Sequence, residues 1–546
     1  MKKNIILSLI LLLFLFPGQI NACTGLLVGK SASADGSTII SYSADSHVLY
    51  GELYHWPANA YPKGTMVDIR EWDSGKYLGK IAQAEQTYHV VGNINEYQVS
   101  IGETTFGGRP ELQDTTSIVD YGSLMYLALQ RSKTAREALQ IMTNLVDEYG
   151  YCSAGESFSV ADPKEIWILE MIGKGTGKKG AVWVAVRIPD DCISAHANQS
   201  RIRTFPLKDK NNCIYSPDVI SFAREKGYFS GKDSEFSFSD TYAPEDFEAV
   251  RFCEARVWSF FRRYNTDMDQ YLPYLEGENK NRLPLWIKPD KKVSVQDIQN
   301  AMRDHYEGTE LDMTKDPGAG PFECPYRWRP LTYKVNGAEY FNERAIATQQ
   351  TGFTLVAQMR EWLPNEIGGI LWFGVDDAAS NVYVPMYCSI TEIPICFRQG
   401  NGDLLNYSPT SAFWIFNRVA NMAYGKYNYM IKDIRKIQQQ LEMSFVDNQL
   451  SVEKTASEMY LKDKNSAVAF LTRYSAEQAE LTFDQWQKLD EYLLVKYIDG
   501  NIKKEKDGKF ETDKNGSPVT PLQPGYSKNF YRQIVEETGD KLKLKD

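Results

Sequence analysis

Cys23 is the residue of this 546-residue chain with the most chemistry to offer, because of what precedes it. Lys2 and Lys3 form a short basic start, Ile5 to Phe16 is apolar apart from Ser8, Pro17-Gly18 breaks the run, and Ile20-Asn21-Ala22 ends in a small residue. An apolar run of about a dozen residues is too short to span a bilayer and reads as a secretory signal over residues 1–22. Cleavage after Ala22 would put a thiol and a free α-amine on one residue. With reference pKa values of roughly 8.5 for the thiol and about 7.7–8.0 for the amine, the amine is a suitable base near neutrality. Position alone leaves three readings open. They are a cysteine that merely begins the mature chain or enters a disulfide, a lipid-modified cysteine of a surface lipoprotein, and an N-terminal nucleophile.

The elements that would have to hold Cys23 favour the nucleophile. Thr24-Gly25-Leu26-Leu27-Val28-Gly29 is a short buried-strand pattern starting at once after Cys23, and Ser37-Thr38-Ile39-Ile40-Ser41-Tyr42 is a second β-rich run ending in Ser43-Ala44-Asp45. Between them, small residues and Asp35-Gly36 signal a turn. A fold-back around Ser33 pairs residues whose numbers total about 66–68, setting Cys23 against residues 43–45 and within reach of Asp45. A lipoprotein ordinarily follows its cysteine with a flexible tether. A nucleophile on the first residue of a core strand is held rigidly, as catalysis prefers.

Cys23-Thr24, Val28-Gly29-Lys30, Ala32-Ser33, Asp35-Gly36-Ser37 and Asp45 resemble the start of the PepD-like dipeptidases. These are cysteine N-terminal nucleophile (Ntn) hydrolases, related to choloylglycine hydrolase and penicillin V acylase. Further matches follow in order: Asn95-Glu96, Gly102-Glu103-Thr104, Tyr149-Gly150, Gly155-Glu156-Ser157 and Trp167-Ile168-Leu169-Glu170. His196-Ala197-Asn198-Gln199 and Arg303-Asp304-His305-Tyr306-Glu307-Gly308-Thr309 complete the set. Each motif is weak alone; the ordered set is specific.

The resemblance implies an α+β fold, a four-layer αββα sandwich of two antiparallel sheets between helical layers. It implies a cysteine-type dipeptidase needing no cofactor and no metal, with small peptides as substrates. In that scheme the Cys23 amine takes the thiol proton, and the thiolate forms a thioester with the acyl half of the substrate, which water then hydrolyses. Asn198 is the implied oxyanion donor, joined by a backbone N–H near Thr104. Asp45 orients the amine, and Arg256, in Arg256-Val257-Trp258, supplies positive charge near the nucleophile. Glu103 and Thr104 shape the substrate pocket. Relatives often carry Arg three residues before the aspartate where this chain has Tyr42, which makes Tyr42 a substrate-pocket residue with a donor but no fixed charge. Another amide, such as a bile-salt or N-acyl conjugate, is the alternative substrate. A surface lipoprotein acylated at Cys23 is the alternative outside enzymology.

Local patterns agree with such a fold. Thr134-Ala135-Arg136-Glu137 is a capping box, followed by helically spaced Ala138, Leu139, Met142, Leu145, Val146 and Tyr149 up to Gly150. Glu165 to Met171 and Ala181 to Ile188 read as strands around a Gly/Lys hairpin. We divide the chain into the signal, a catalytic domain over 23–425, and a largely helical C-terminal extension over 426–546 packed on the core, with turns at Asp507-Gly508 and Asn515-Gly516.

Composition excludes other classes. The chain is 43% hydrophobic and 24% charged, with 61 Lys+Arg against 71 Asp+Glu and a net charge of −10, which is no footprint for nucleic acid. Beyond the signal no segment approaches eighteen uncharged apolar residues, so the mature chain has no transmembrane segment and is exported to the periplasm or beyond. Gly25 to Ser31 is one residue short of a P-loop, Gly155-Glu156-Ser157-Phe158-Ser159 lacks the last glycine of a nucleophile elbow, and Asp513-Lys514-Asn515-Gly516 lacks most calcium ligands. The five histidines form no HExxH pair and no cysteine pair has zinc spacing. Besides Cys23 there are seven cysteines, which cannot all pair within one chain. Ntn hydrolases often assemble, so a homo-oligomer is an expectation of the resemblance.

Overall fold

The computed structural model describes residues 23–545, so the signal expected over 1–22 lies outside the described residues. Gly25–Val28 and Thr38–Asp45 pair antiparallel, Leu27 with Ile40 and Val28 with Ile39, and a bridge joins Thr24 to Ser43. Each pair of numbers totals 67, inside the range expected from the sequence. That register sets Cys23 across from Ala44, beside Asp45.

This hairpin lies inside a seven-stranded antiparallel sheet. Ile193–His196 flanks it on one side, and Thr351–Met359, Ile370–Val375 and Val384–Tyr387 follow in order on the other. A second, eight-stranded antiparallel sheet is built around Ser100–Gly107, Gly155–Ala161, Ile166–Gly173 and Ala181–Arg187. The sheets meet where Ser100–Gly107 and Gly155–Ala161 pack on Thr38–Asp45. Ile166–Gly173 is buried along its whole length, which is why it alternates imperfectly: a strand covered on both faces has no solvent side to keep polar.

Helix Ala135–Tyr149 starts at Thr134, whose hydroxyl accepts the Glu137 N–H, and stops at Gly150 with φ 78°. Its apolar stripe packs on the second sheet. Helix Val295–Met302 lies against the Thr38–Asp45 and Thr351–Met359 strands of the first. The C-terminal part is helical from Ala412–Tyr424 onward, continuing as Tyr427–Tyr460 and Lys464–Tyr497, which pack on each other and on the Val384–Tyr387 strand. Buried ion pairs from Arg303 to Glu442 and from Arg360 to Glu453 fasten the first long helix to the sheet region. Asp507-Gly508 forms the tip of a small hairpin, as its sequence indicates. The chain is thus a mixed α/β protein with two large antiparallel sheets and a helical C-terminal region. Among the described residues no helix is long and apolar enough to cross a membrane.

Candidate active site

Cys23 is 5% exposed and enters the sheet through the Thr24–Ser43 bridge. Burial pushes its thiol well above the ordinary range, and the Glu103 and Asp45 carboxylates push the same way, while the backbone N–H of Asp45 pulls it down. A thiol so placed rests protonated, so it needs a base to become a nucleophile. In the full chain the nitrogen of Cys23 is an amide and accepts no proton; only cleavage after Ala22 makes it an amine.

Arg256 grips the residue from behind. Its Nη1 donates to the Cys23 carbonyl at 2.6 Å and to Thr24 Oγ1 at 2.8 Å. Its Nη2 donates to Ala197 O and Asn198 Oδ1, both at 2.9 Å, and its Nε to Phe252 O at 2.6 Å. All five guanidinium N–H groups are engaged. The π-helical segment Val250–Glu254 leads into the helix Ala255–Arg262 that carries this arginine.

Asn198 sits in the left-handed region, φ 65°, just after the Ile193–His196 strand. Because a guanidinium only donates, Oδ1 faces Arg256 and Nδ2 faces the other way, donating to Thr105 O at 2.7 Å. The following loop is fixed by Glu170, which accepts the backbone N–H of Arg201 at 2.6 Å and the Ser200 hydroxyl at 2.5 Å. The buried Arg201–Glu254 pair at 2.8 Å ties that loop to the π-helical segment. Asn198 also lines an open cleft of about 430 Å³ with Phe106, Phe252 and Cys253.

Asp45 does not stand alone beside Cys23. Arg344 Nη2 donates to its Oδ2 at 2.7 Å, Thr351 Oγ1 to its Oδ1 at 2.7 Å, and Ser43 Oγ to its Oδ2 at 3.2 Å. Burial still outweighs these partners and holds its pKa above the ordinary carboxylate value. Arg344 is pushed down to about 10 by its own burial and by Arg256. The Tyr306 hydroxyl braces the Arg344 carbonyl at 2.5 Å, and Asp304 accepts from Ser259 at 2.5 Å on the Arg256 helix. The Arg303–Thr309 motif therefore buttresses both arginines.

On the sulfur side, Cys23 Sγ lies 3.6 Å from Glu103 Oε1, which also accepts from the Tyr42 hydroxyl at 2.5 Å. Tyr42 reaches this carboxylate by lying over Gly102, where a Cβ would come within 3.0 Å of the Tyr42 Cβ. Glu156, diagonal to Glu103 on the neighbouring strand, hydrogen-bonds to it, and its Oε1 accepts from Thr105 Oγ1 at 2.6 Å. Burial raises both carboxyls: Glu103 to about 7, and Glu156 well above its ordinary value because Glu103 lies beside it. Near neutrality Glu156 is therefore the neutral member and gives its proton to the Glu103 carboxylate.

Six of the seven expected residues, Cys23, Tyr42, Asp45, Glu103, Asn198 and Arg256, gather at one place. The Thr104 hydroxyl instead meets His196 Nδ1 at 2.8 Å between the sheets, and Ser159 Oγ holds the other ring nitrogen at 2.6 Å. Burial and Arg201 keep this histidine neutral, with a pKa lowered to about 3. Sequence reasoning missed Arg344, Thr351 and Glu156; only the Gly155-Glu156-Ser157 motif hinted at the last. All eight cysteines are free thiols. Among the described residues no group of three His, Cys, Asp or Glu side chains is placed to hold a metal ion.

The profile of peptidase family C69 matches residues 22–54 and 47–440, a stretch that holds every residue of the site. A probable dipeptidase of Salmonella dublin is 29% identical over 400 residues, covering 68% of this chain and 82% of the relative. A probable dipeptidase of Latilactobacillus sakei is 24% identical over 484 residues, covering 84% and 92%. Probable dipeptidase B of Lactococcus lactis is 25% identical over 493 residues, covering 87% and 95%.

Proposed function

The chain belongs to peptidase family C69, and from that premise we propose that it is an exported cysteine dipeptidase whose nucleophile is the N-terminal Cys23 of the mature chain. The two sheets with their covering helices are then the αββα sandwich of an Ntn hydrolase. Removal of residues 1–22 turns the Cys23 nitrogen into an amine, which takes the thiol proton. The thiolate attacks the peptide carbonyl, and the resulting oxyanion is held by Asn198 Nδ2 and a backbone N–H near Thr104. Collapse passes the proton to the leaving nitrogen, frees the C-terminal amino acid and leaves a thioester on Cys23. Water, deprotonated by the same amine, then hydrolyses the thioester. Asp45, steadied by Arg344 and Thr351, orients the amine; Arg256 fixes the Cys23 backbone and the Asn198 amide.

One observation favours a dipeptide over an N-acyl conjugate: the Glu103 carboxylate lies 3.6 Å from the Cys23 sulfur. A sulfur poised for attack stands roughly 3–3.5 Å from the carbonyl carbon. The α-ammonium of a dipeptide is bonded to the adjacent Cα, so it falls within hydrogen-bond reach of such a carboxylate. A bile-salt or N-acyl substrate has no cation there and would leave Glu103 facing apolar atoms. The test compares hydrolysis of a panel of dipeptides with that of their N-acetyl derivatives. Cleavage of free dipeptides at least about 100-fold faster, in kcat/KM, supports the reading; faster cleavage of the acylated forms rejects it.

A further inference from the structure

A dipeptide also carries a carboxylate, one residue beyond the bond that breaks, and it needs a cation that is not already committed. Arg256 has none of its five N–H groups to spare, and Arg344 is fully buried against Asp45. Arg329 differs. It is half-buried, its hydrogen bond goes to Gln350 Oε1 at 2.5 Å, and no carboxylate pairs with it among the described residues. The other buried or half-buried arginines nearby, Arg201, Arg303, Arg327 and Arg344, each hold a carboxylate.

The placement of Arg329 ties it to the site from two directions. Gln350 precedes Thr351, the residue that bonds Asp45, and the Gln350 carbonyl accepts the N–H of Ser46, the residue after Asp45. Two residues past Arg329, Leu331 packs on Phe252 and Cys253, which line the cleft beside Asn198. The segment thus runs from the cleft wall to Asp45, and three guanidiniums, Arg256, Arg329 and Arg344, gather around one aspartate. Such an excess of positive charge calls for an anion.

Gln350 makes the same demand independently. It is 5% exposed, and its Nε2 has no acceptor among the described residues. Since its Oε1 must face the guanidinium, which only donates, the amide cannot turn over to relieve this. A buried donor left unpaired is costly, and such groups in native proteins usually meet a ligand or water.

We propose that Arg329 and the Gln350 side-chain amide bind the α-carboxylate of the leaving amino acid, so that the site accepts peptides of two residues and rejects longer or blocked ones. This rests on the dipeptidase reading and deepens it. Glu103 and Arg329 then form the two poles of a site for a zwitterion, with Cys23 between the charges it recognises. Lys cannot replace Arg329 fully, because a planar fork pairs with both carboxylate oxygens where an ammonium offers a point charge.

The test uses the purified mature enzyme, the best-cleaved dipeptide of a panel, its C-terminal amide, and the tripeptide extended at its C-terminus. The wild type should prefer the free dipeptide to the other two. Arg329→Gln should lower kcat/KM for the dipeptide about 10- to 100-fold, mostly through KM, while the amide substrate is cleaved as before. Arg329→Lys should recover part of the loss. Should Arg329→Gln not fold, product inhibition of the wild type gives a second readout: the free leaving amino acid should inhibit and its amide should not. Equal cleavage of acid and amide by the wild type, an equal loss on both in Arg329→Gln, or equal inhibition by both products would overturn the proposal while leaving the dipeptidase reading intact. A wild type that cleaves no dipeptide overturns both.

Discussion

The thiol of Cys23 stands 3.6 Å from the carboxylate of Glu103 and donates to it in a buried site, so the thiol supports the charge of the carboxylate while the carboxylate disfavours the thiolate. The Tyr42 hydroxyl and the Glu156 carboxyl both donate to Glu103, and among the described residues no cation pairs with this carboxylate. An incoming ammonium would complete its solvation and relieve the thiolate of a facing negative charge. On the proposed mechanism, substrate binding and nucleophile activation would be coupled through that one contact.

Such a coupling would make activity depend on the ionisation of Glu103. Its pKa lies at about 7, and the Tyr42 hydrogen bond holds it lower than burial alone would. As pH falls through this value Glu103 takes a proton, loses its hold on the substrate ammonium, and kcat/KM should fall. Tyr42→Phe removes the donor, so the lower limb of the kcat/KM profile should move to higher pH. Profiles of wild type and Tyr42→Phe that coincide would separate Glu103 from substrate binding.

The same carboxyl affects stability in the opposite direction. Its folded-state pKa lies above its ordinary value of 4.5, so the native state holds a proton that the unfolded chain releases. Its contribution to stability is full below about 4.5 and is lost as pH rises through about 7. Between pH 5 and 8, Tm should therefore fall more steeply in the wild type than in the Glu103→Gln, Glu156→Gln double variant. Parallel Tm curves would contradict the shared-proton description.

Asn198→Ala tests the oxyanion assignment. Loss of one preorganised donor should lower kcat about 100- to 1,000-fold with little change in KM. A change confined to KM would move Asn198 from the oxyanion to ground-state binding. Circular dichroism checks that its anchoring to Arg256 and Thr105 does not carry the fold with it.

Asp45→Ala takes from the buried Arg344 the carboxylate it pairs with at 2.7 Å. Breaking a buried pair from one side costs about 3–5 kcal/mol, so chemical denaturation should show a large loss of stability alongside the loss of activity. Asp45→Asn keeps an oxygen for Thr351 and should lose less stability than Asp45→Ala. Near-wild-type stability for Asp45→Ala would contradict the role of this pair.

Much of the site was legible because its carriers are local. The hairpin register follows from two β-rich runs about one turn, and it alone brings Asp45 beside Cys23. Thr134 and Gly150 bracket their helix by cap chemistry that a sequence states directly. Arg344 and Thr351 gave no such sign, since they meet Asp45 across about three hundred residues and belong to no local pattern. Thr104 reads like Glu103 in sequence, yet successive strand residues point to opposite faces, and its hydroxyl goes to His196 instead. The C-terminal helices were recognisable as charged, helix-prone stretches. Their attachment to the sheet through Glu442 and Glu453 was not, because a charged residue on a helix reads as solvated until its partner is known.

The central claim is that Cys23 begins the mature chain with its thiol and amine both free. Intact mass and N-terminal sequencing of the protein purified from its native host test this most directly. The account predicts loss of residues 1–22, an unmodified Cys23 at the terminus, and dipeptide hydrolysis that vanishes in Cys23→Ala and survives only weakly in Cys23→Ser. A diacylglyceryl group on Cys23, or a mature chain in which Cys23 is internal, would remove the nucleophile or its base and contradict the account.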